Sequence, residues 1–168
     1  MLGDEHEIIA TAICGDDYAA GHPEFAAELV EQARERGAEM VVAGPAFTSG
    51  RYGMACARIA AAASEAGLPA LAAMHPDNPG LGEAAGTSVV ESGLTARQMR
   101  DSLERFAAAT LKIAAGEELT AQDGRIGPVA RTNRRAERNA AERAVALVSH
   151  GSAATERPPR SRSPTSTR

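Results

Sequence analysis

The sequence predicts an α/β protein with a doubly wound, mostly parallel sheet of about four strands, incomplete and followed by a disordered C-terminal tail. Three observations carry that expectation. Short apolar runs alternate with longer segments whose apolar residues recur at helical spacing. Each apolar run breaks into a turn rich in Gly, Pro, Asp or Asn. The helical segments close on glycines, at Gly37, Gly67 and Gly116.

Glu7 to Cys14 (EIIATAIC) reads as the first strand and ends in the turn Gly15-Asp16-Asp17-Tyr18. Pro23 suits a first helical position. Phe25, Ala26, Leu29, Val30 and Ala33 then mark the apolar face of a helix, with Glu24, Glu28, Glu31 and Arg34 on its wet side. Glu39 to Ala43 is the second strand, apolar after Glu39 as expected of a strand covered on both faces. The helix from Arg51 to Ala66 sets Tyr52, Cys56, Ile59, Ala60 and Ala63 along one face, and its many alanines imply close approach to the sheet.

Ala70 to Met74 is the third strand. His75-Pro76-Asp77-Asn78-Pro79-Gly80 after it is too rich in prolines and turn formers for regular structure. Thr87 to Glu91, the most polar strand, is expected at or near an edge. Thr95-x-x-Gln98 reads as a capping box for a helix with Met99, Leu103, Phe106, Thr110 and Ile113 inward. The order β-α-β-α-β-β-α is Rossmann-like or flavodoxin-like. Right-handed crossovers gather the loops Gly15 to Tyr18, Gly44 to Gly53 and Met74 to Gly80 on one sheet edge.

Residues 1–118 are thus expected to form the α/β domain. Residues 119–148 add a loop and a further helix, Arg134 to Val148. Residues 149–168 form a basic Ser/Pro/Arg tail without the apolar content to offset its ordering entropy.

Hydrophobic residues make up 43% of the chain but aromatics only 3%, with no Trp, so the core must be aliphatic. With a net charge of −4 nothing suggests nucleic acid as a partner of the whole chain and none is expected, although arginines crowd the end from Arg125 onward. Two cysteines, Cys14 and Cys56, make neither a disulfide framework nor a zinc cluster. No signal peptide and no membrane-spanning run is visible. These features read as a soluble, cytoplasmic protein without membrane contact.

Val41 to Cys56 (VVAGPAFTSGRYGMAC) organises the rest: a strand, a small-residue loop, then a helix start. Such a start offers unpaired N–H groups to an anion, and Arg51, framed by Gly50 and Gly53, is placed to hold a carboxylate in bidentate fashion. The plainer alternatives are a strand-to-helix turn whose glycines only relieve strain and an arginine in a surface ion pair. Tyr52, Gly44 and Phe47 belong to the same stretch, and Asp16, Asp17, Tyr18 and Asn78 to the loops gathered beside it. All are candidate substrate-binding residues.

Cys14 is a candidate nucleophile if a neighbouring Arg51 lowers its pKa, and otherwise a small apolar residue. Cys56 reads as core. A metal on Asp16 and Asp17 would need a further ligand from His75 or Asp77, and no metal is expected. No Walker sequence, GxGxxG or GxSxG elbow occurs.

ICGDDY (Ile13 to Tyr18), VAGPAFTSGRYGMAC (Val42 to Cys56) and MHPDNPG (Met74 to Gly80) together resemble one known family. It is the selenoprotein B component, or γ-type subunit, of glycine/sarcosine/betaine reductase, related also to D-proline reductase. The family's text runs close to ICGDNYF, AGPAFNAGRYGMACG and GMY-x-ENPG, in this order. The segment Ile126 to Val148 resembles the family's Arg/Asn-rich stretch and the helix after it. Asp17 stands where the family usually has Asn, and His75 near its Tyr.

The resemblance implies reductive cleavage of the C–N bond of glycine or an N-methylated glycine. A selenolate attacks the α-carbon, the amine leaves, and a carboxymethyl group passes to a partner selenoprotein. An acetyl-phosphate-forming component and the thioredoxin system complete the complex. Selenocysteine, the family's catalytic group, is absent from these 168 residues, and no cysteine follows Cys56. The chain is therefore expected to be the N-terminal portion of such a subunit, truncated or out of frame near Ser149, with no other cofactor and no activity alone. A non-catalytic α/β module that binds a small carboxylate or acts as a scaffold is the alternative.

Overall fold

Alanine spacing determines how closely this chain can pack. Ala57, Ala60 and Ala63 fall on one stripe of the central helix, and nothing beyond Cβ holds that stripe off a sheet. The computed structural model describes residues 2–3 and 5–127. In it, helix α3 (Gly50–Glu65) seals all three alanines against strands β1 (Val41–Ala43) and β2 (Ala70–Met74). Two helices precede these strands, α1 (Asp16–Gly21) and α2 (Phe25–Glu35), and strand β3 (Ser88–Glu91) and helix α4 (Met99–Ala114) follow.

The architecture is α/β, with a three-stranded open parallel sheet in the order β1-β2-β3. Val41 pairs with Ala70 and Ala43 with Ala72, while Leu71 pairs with Ser88 and Met74 with Glu91. The period of two divides each strand between two cores. Ala70, Ala72, Met74 and Val89 face α2 and α3. Leu71, Ala73 and Val90 face the other way, onto Phe106 and Ala109 of α4. The sheet is thus helix-covered on both faces at β2, whose five residues are all buried.

The first expected strand does not form. Residues 7–14 have no regular secondary structure and pair with no strand among the described residues, and Ile8, Ile9 and Ile13 are 68%, 49% and 92% exposed. High β-propensity cannot make a strand without a neighbour that supplies the ladder. The turn expected at Gly15 to Tyr18 is the start of α1 instead. Nor is β1 covered on both faces by the described residues: Val42 is half exposed, and α4 packs chiefly over β2 and β3.

Other differences are local. Thr95 makes no capping box. Gln98 reaches back one residue further, its Oε1 accepting from the Leu94 N–H at 2.7 Å, and a short 3-10 turn precedes α4. Inward-facing Ser102, Phe106 and Ala109 define the buried stripe of α4, while Met99 lies partly in solvent. The Pro-rich turn after β2 runs into a 3-10 helix, Pro79–Glu83, whose start is capped by Asn78. Tyr52 is also more exposed than an inward-facing residue would be.

Residues 119–127 close over the outer side of β3. The Glu91 N–H donates to Gly124 O at 2.8 Å, and the Ile126 N–H donates to Val89 O at 2.9 Å. Thr120 and Asp123 form a reciprocal capping box there, and the Lys112 ammonium joins Asp123. The bond from Lys112, then those from the Thr120 N–H and hydroxyl, hold the Asp123 carboxyl down at about 2. The expected helix Arg134 to Val148 and the tail from residue 149 lie outside the described residues. No helix among the described residues is long and apolar enough to cross a membrane.

Candidate functional site

The loops after β1 and β2 meet at the C-terminal edge of the sheet, as parallel strands require. Gly44 opens the first loop with φ 120°, and its peptide bond to Pro45 is cis. A Cβ on Gly44 would lie 2.6 Å from the Ala73 carbonyl oxygen, so only glycine lets the backbone pass this close to β2. The Ala46 N–H then donates to that same Ala73 oxygen at 2.8 Å. Phe47, at φ 50°, turns the chain so that its carbonyl faces the second loop.

Asn78 locks the two loops together. It is 2% exposed, and its Nδ2 donates to Phe47 O at 2.8 Å and to Ser49 O at 3.1 Å. Its Oδ1 accepts from the Gly80 N–H at 2.8 Å. The His75 N–H donates to Phe47 O at 2.9 Å. A Cβ on Gly53 would overlap the Asn78 amide, and one on Gly80 would overlap the Gly53 backbone. The two glycines and the asparagine are therefore one packed unit, which places the first turn of α3 against the loop after β2.

Arg51 stands on the open side of that turn. Its Nε lies 2.9 Å from Asp17 Oδ1 and 3.4 Å from Asp16 Oδ2, both at the start of α1. All three side chains are substantially exposed, so the cluster is an accessible ion pair rather than a buried one. Arg58, two turns further along the same face of α3, donates to Ala20 O at 3.0 Å and approaches Glu83 Oε2 at 3.6 Å. Both ends of α1 are thus tied to α3.

Tyr52 and Cys56, four residues apart on α3, share one environment. Burial pushes the Cys56 thiol up to about 12, while the hydrogen bond from Tyr52 pulls the other way. Desolvation and the neighbouring Cys56 raise the Tyr52 phenol to about 12 as well. Both groups are uncharged at neutral pH. Cys14 is exposed and unpaired in a disulfide.

Of the residues nominated from sequence, the structure brings Asp16, Asp17 and Arg51 into contact, with Gly50, Tyr52 and Gly53 in the same first turn of α3. Gly44, Phe47 and Asn78 belong to the packed junction of the loops after β1 and β2, with the Asn78 donors already spent on carbonyls. Tyr18 turns aside, stacked on His22 at 4.1 Å between ring centroids and edge-on to Phe25. Gly80 and Arg58 had not been nominated. Gly80 carried a signal as the glycine closing PDNPG, whereas Arg58 carried none beyond being a cation in an alanine-rich helix. Among the described residues, no group of three His, Cys, Asp or Glu side chains gathers to hold a metal.

Residues 1–152 match the family model for glycine/sarcosine/betaine reductase selenoprotein B. The chain belongs to that family. It is 40% identical over 119 residues to the sarcosine reductase complex component B subunit beta of Peptoclostridium acidaminophilum, covering 69% of this chain and 27% of that one. It is 39% identical over 150 residues to the glycine reductase complex component B subunit gamma of Carboxydothermus hydrogenoformans, covering 86% of this chain and 34% of that one. The betaine reductase complex component B subunit beta of Peptoclostridium acidaminophilum is 32% identical over 120 residues, or 70% of this chain and 28% of that one. The chain thus spans about a third or less of the length of these selenoprotein B relatives. All three are named as components of reductase complexes, and no solved structure matches.

Proposed function

We propose that this chain is a substrate-holding part of a reductase B component that acts on glycine or an N-methylated glycine. The observation that carries the reading is the exposed cluster of Arg51 with Asp16 and Asp17. Glycine, sarcosine and betaine each carry a carboxylate and a cationic nitrogen. Such a zwitterion can open the cluster without changing its charge count. Its carboxylate takes the place of an aspartate on Arg51, and its nitrogen approaches the aspartate set free.

The exchange is energetically modest. An exposed ion pair is worth only about 0–1 kcal/mol, whereas charge-assisted hydrogen bonds to a ligand carboxylate contribute about 1.5–3 kcal/mol. Ammonium substrates would donate hydrogen bonds to Asp16 or Asp17. A fully methylated nitrogen cannot donate, and would rest instead on charge and on the exposed part of the Tyr52 ring.

In the proposed reaction a selenolate forms an Se–C bond at the α-carbon while the C–N bond breaks, and the amine leaves with that electron pair. These residues hold no selenocysteine, so their part is to bind and orient. The partner selenoprotein, the acetyl-phosphate-forming component and the thioredoxin system are the proposed associates. A second reading is a binding or scaffold module without chemistry. The two readings differ in turnover once the other components are added.

Arg51→Ala is expected to weaken binding of glycine, sarcosine or betaine by about 1.5–3 kcal/mol in calorimetry. Unchanged affinity would remove Arg51 from the site.

A further inference from the structure

Arg51 meets two carboxylates, and the two are held differently. Asp16 is fixed through both oxygens: its Oδ1 accepts from the Asp17 N–H at 3.0 Å, and its Oδ2 accepts from the Arg51 Nε–H at 3.4 Å. Asp17 Oδ1 lies nearer to Nε, at 2.9 Å, as an ion pair. Its side chain is 78% exposed, against 40% for that of Asp16. An incoming anion therefore displaces Asp17 at the lower cost. Releasing Asp17 breaks one exposed ion pair, whereas releasing Asp16 also breaks a hydrogen bond to charge.

Charge decides which anion can make that displacement. One guanidinium against two carboxylates leaves the cluster with an excess of negative charge. A plain carboxylate on Arg51 would add a third, facing Asp16 and the displaced Asp17 with nothing to offset the repulsion. An α-amino carboxylate brings its own cation, two bonds from the carboxyl carbon. With its carboxylate on Arg51, its nitrogen falls beside the aspartate just displaced. Asp17 stays within reach, because α1 remains tied to α3 by Asp16 on Arg51 and by the Arg58 bond to Ala20 O.

We propose that Asp17 determines specificity at Arg51: it leaves the guanidinium, receives the cationic nitrogen of the ligand, and repels carboxylates that lack one. Asp16 stays on Arg51 as a positioning residue. Both roles rest on the binding of a zwitterion at Arg51 proposed above. The class admitted is the α-amino carboxylate, N-methylated or not, and the class rejected is the plain carboxylate. Discrimination then comes from repulsion of the wrong ligand as much as from attraction of the right one.

The test is calorimetry of the full chain with glycine and with acetate, the same carboxylate without the nitrogen. The wild type should bind glycine more tightly than acetate. Asp17→Asn keeps the size of the side chain and removes its charge. It should lower the ratio of the two affinities by at least about fivefold, weakening glycine and strengthening acetate together. Asp17→Glu should keep the wild-type preference, and Asp16→Asn should move the ratio less than Asp17→Asn does. A merely structural effect would weaken both ligands alike and leave the ratio where it was. An unchanged ratio in Asp17→Asn, or a larger change in Asp16→Asn, overturns the role of Asp17 while zwitterion binding at Arg51 stands. A wild type that binds glycine and acetate equally does the same. No binding of glycine, sarcosine or betaine to the wild type overturns both.

Discussion

Gly80→Ala is expected to destabilise the protein by about 3 kcal/mol, at the upper end of the range for overpacking, and to lower Tm by roughly 10 °C. The added Cβ would fall within the contact distance of the Gly53 carbonyl group and the Met54 nitrogen. These are backbone atoms inside α3, and no rotamer change can move them aside. Relief would require the loop after β2 to lift from the helix, which would break the bonds made by Asn78. Gly21→Ala is the control: it lies in a helix at negative φ with nothing within 4 Å of a new Cβ, so it should be neutral or slightly stabilising. Thermal melts of the two variants decide the matter. Similar Tm values would mean that the close approach of Gly80 to Gly53 is not made.

Asn78→Asp should be the more damaging change, by about 4 kcal/mol at neutral pH. The wild-type amide donates two hydrogen bonds to the carbonyls of Phe47 and Ser49 from a buried position. A carboxylate removes both donors and sets a negative charge against two carbonyl oxygens, with no cation among the described hydrogen-bond partners of that side chain, the costliest kind of buried mismatch. Asn78→Ala loses the same bonds without the charge and should cost about 2 kcal/mol.

The pH dependence separates the two variants. The introduced carboxyl would have a folded pKa raised above its unfolded value near 4. Its protonated form is the one the fold tolerates, so stability is retained below that unfolded value and lost as pH climbs through the folded one. Denaturant midpoints for Asn78→Asp and Asn78→Ala should therefore diverge at pH 7 and converge toward pH 4. Equal midpoints at both pH values would mean the amide does not face those carbonyls.

Much of the site was legible because its signals are local. Gly44-Pro45 ends an apolar run, Gly50 to Gly53 starts a helix, and PDNPG supplies turn chemistry, so the strand-loop-helix passage could be read directly. Strand β2 was placed at its observed bounds because five small apolar residues between Pro69 and His75 admit little else. The missing first strand was not legible, since residues 7–14 have every local property of a strand and lack only a partner. The same limit applies to Val42, whose exposure depends on how far α4 reaches across the sheet. The role of Asn78 was hidden as well. A sequence shows a polar residue in a loop, but not that all its hydrogen-bonding capacity is turned inward.

The surface formed by the first turn of α3 and the start of α1 is the proposed binding place of a small zwitterion. The direct measurement is a titration of isotope-labelled protein with glycine, sarcosine and betaine, followed by amide chemical shifts. Saturable shifts are expected at Gly50, Arg51 and Tyr52 and at Asp16 and Asp17, with the amides of α4 unmoved. No saturable shift with any of the three, or shifts confined to other parts of the fold, would contradict it.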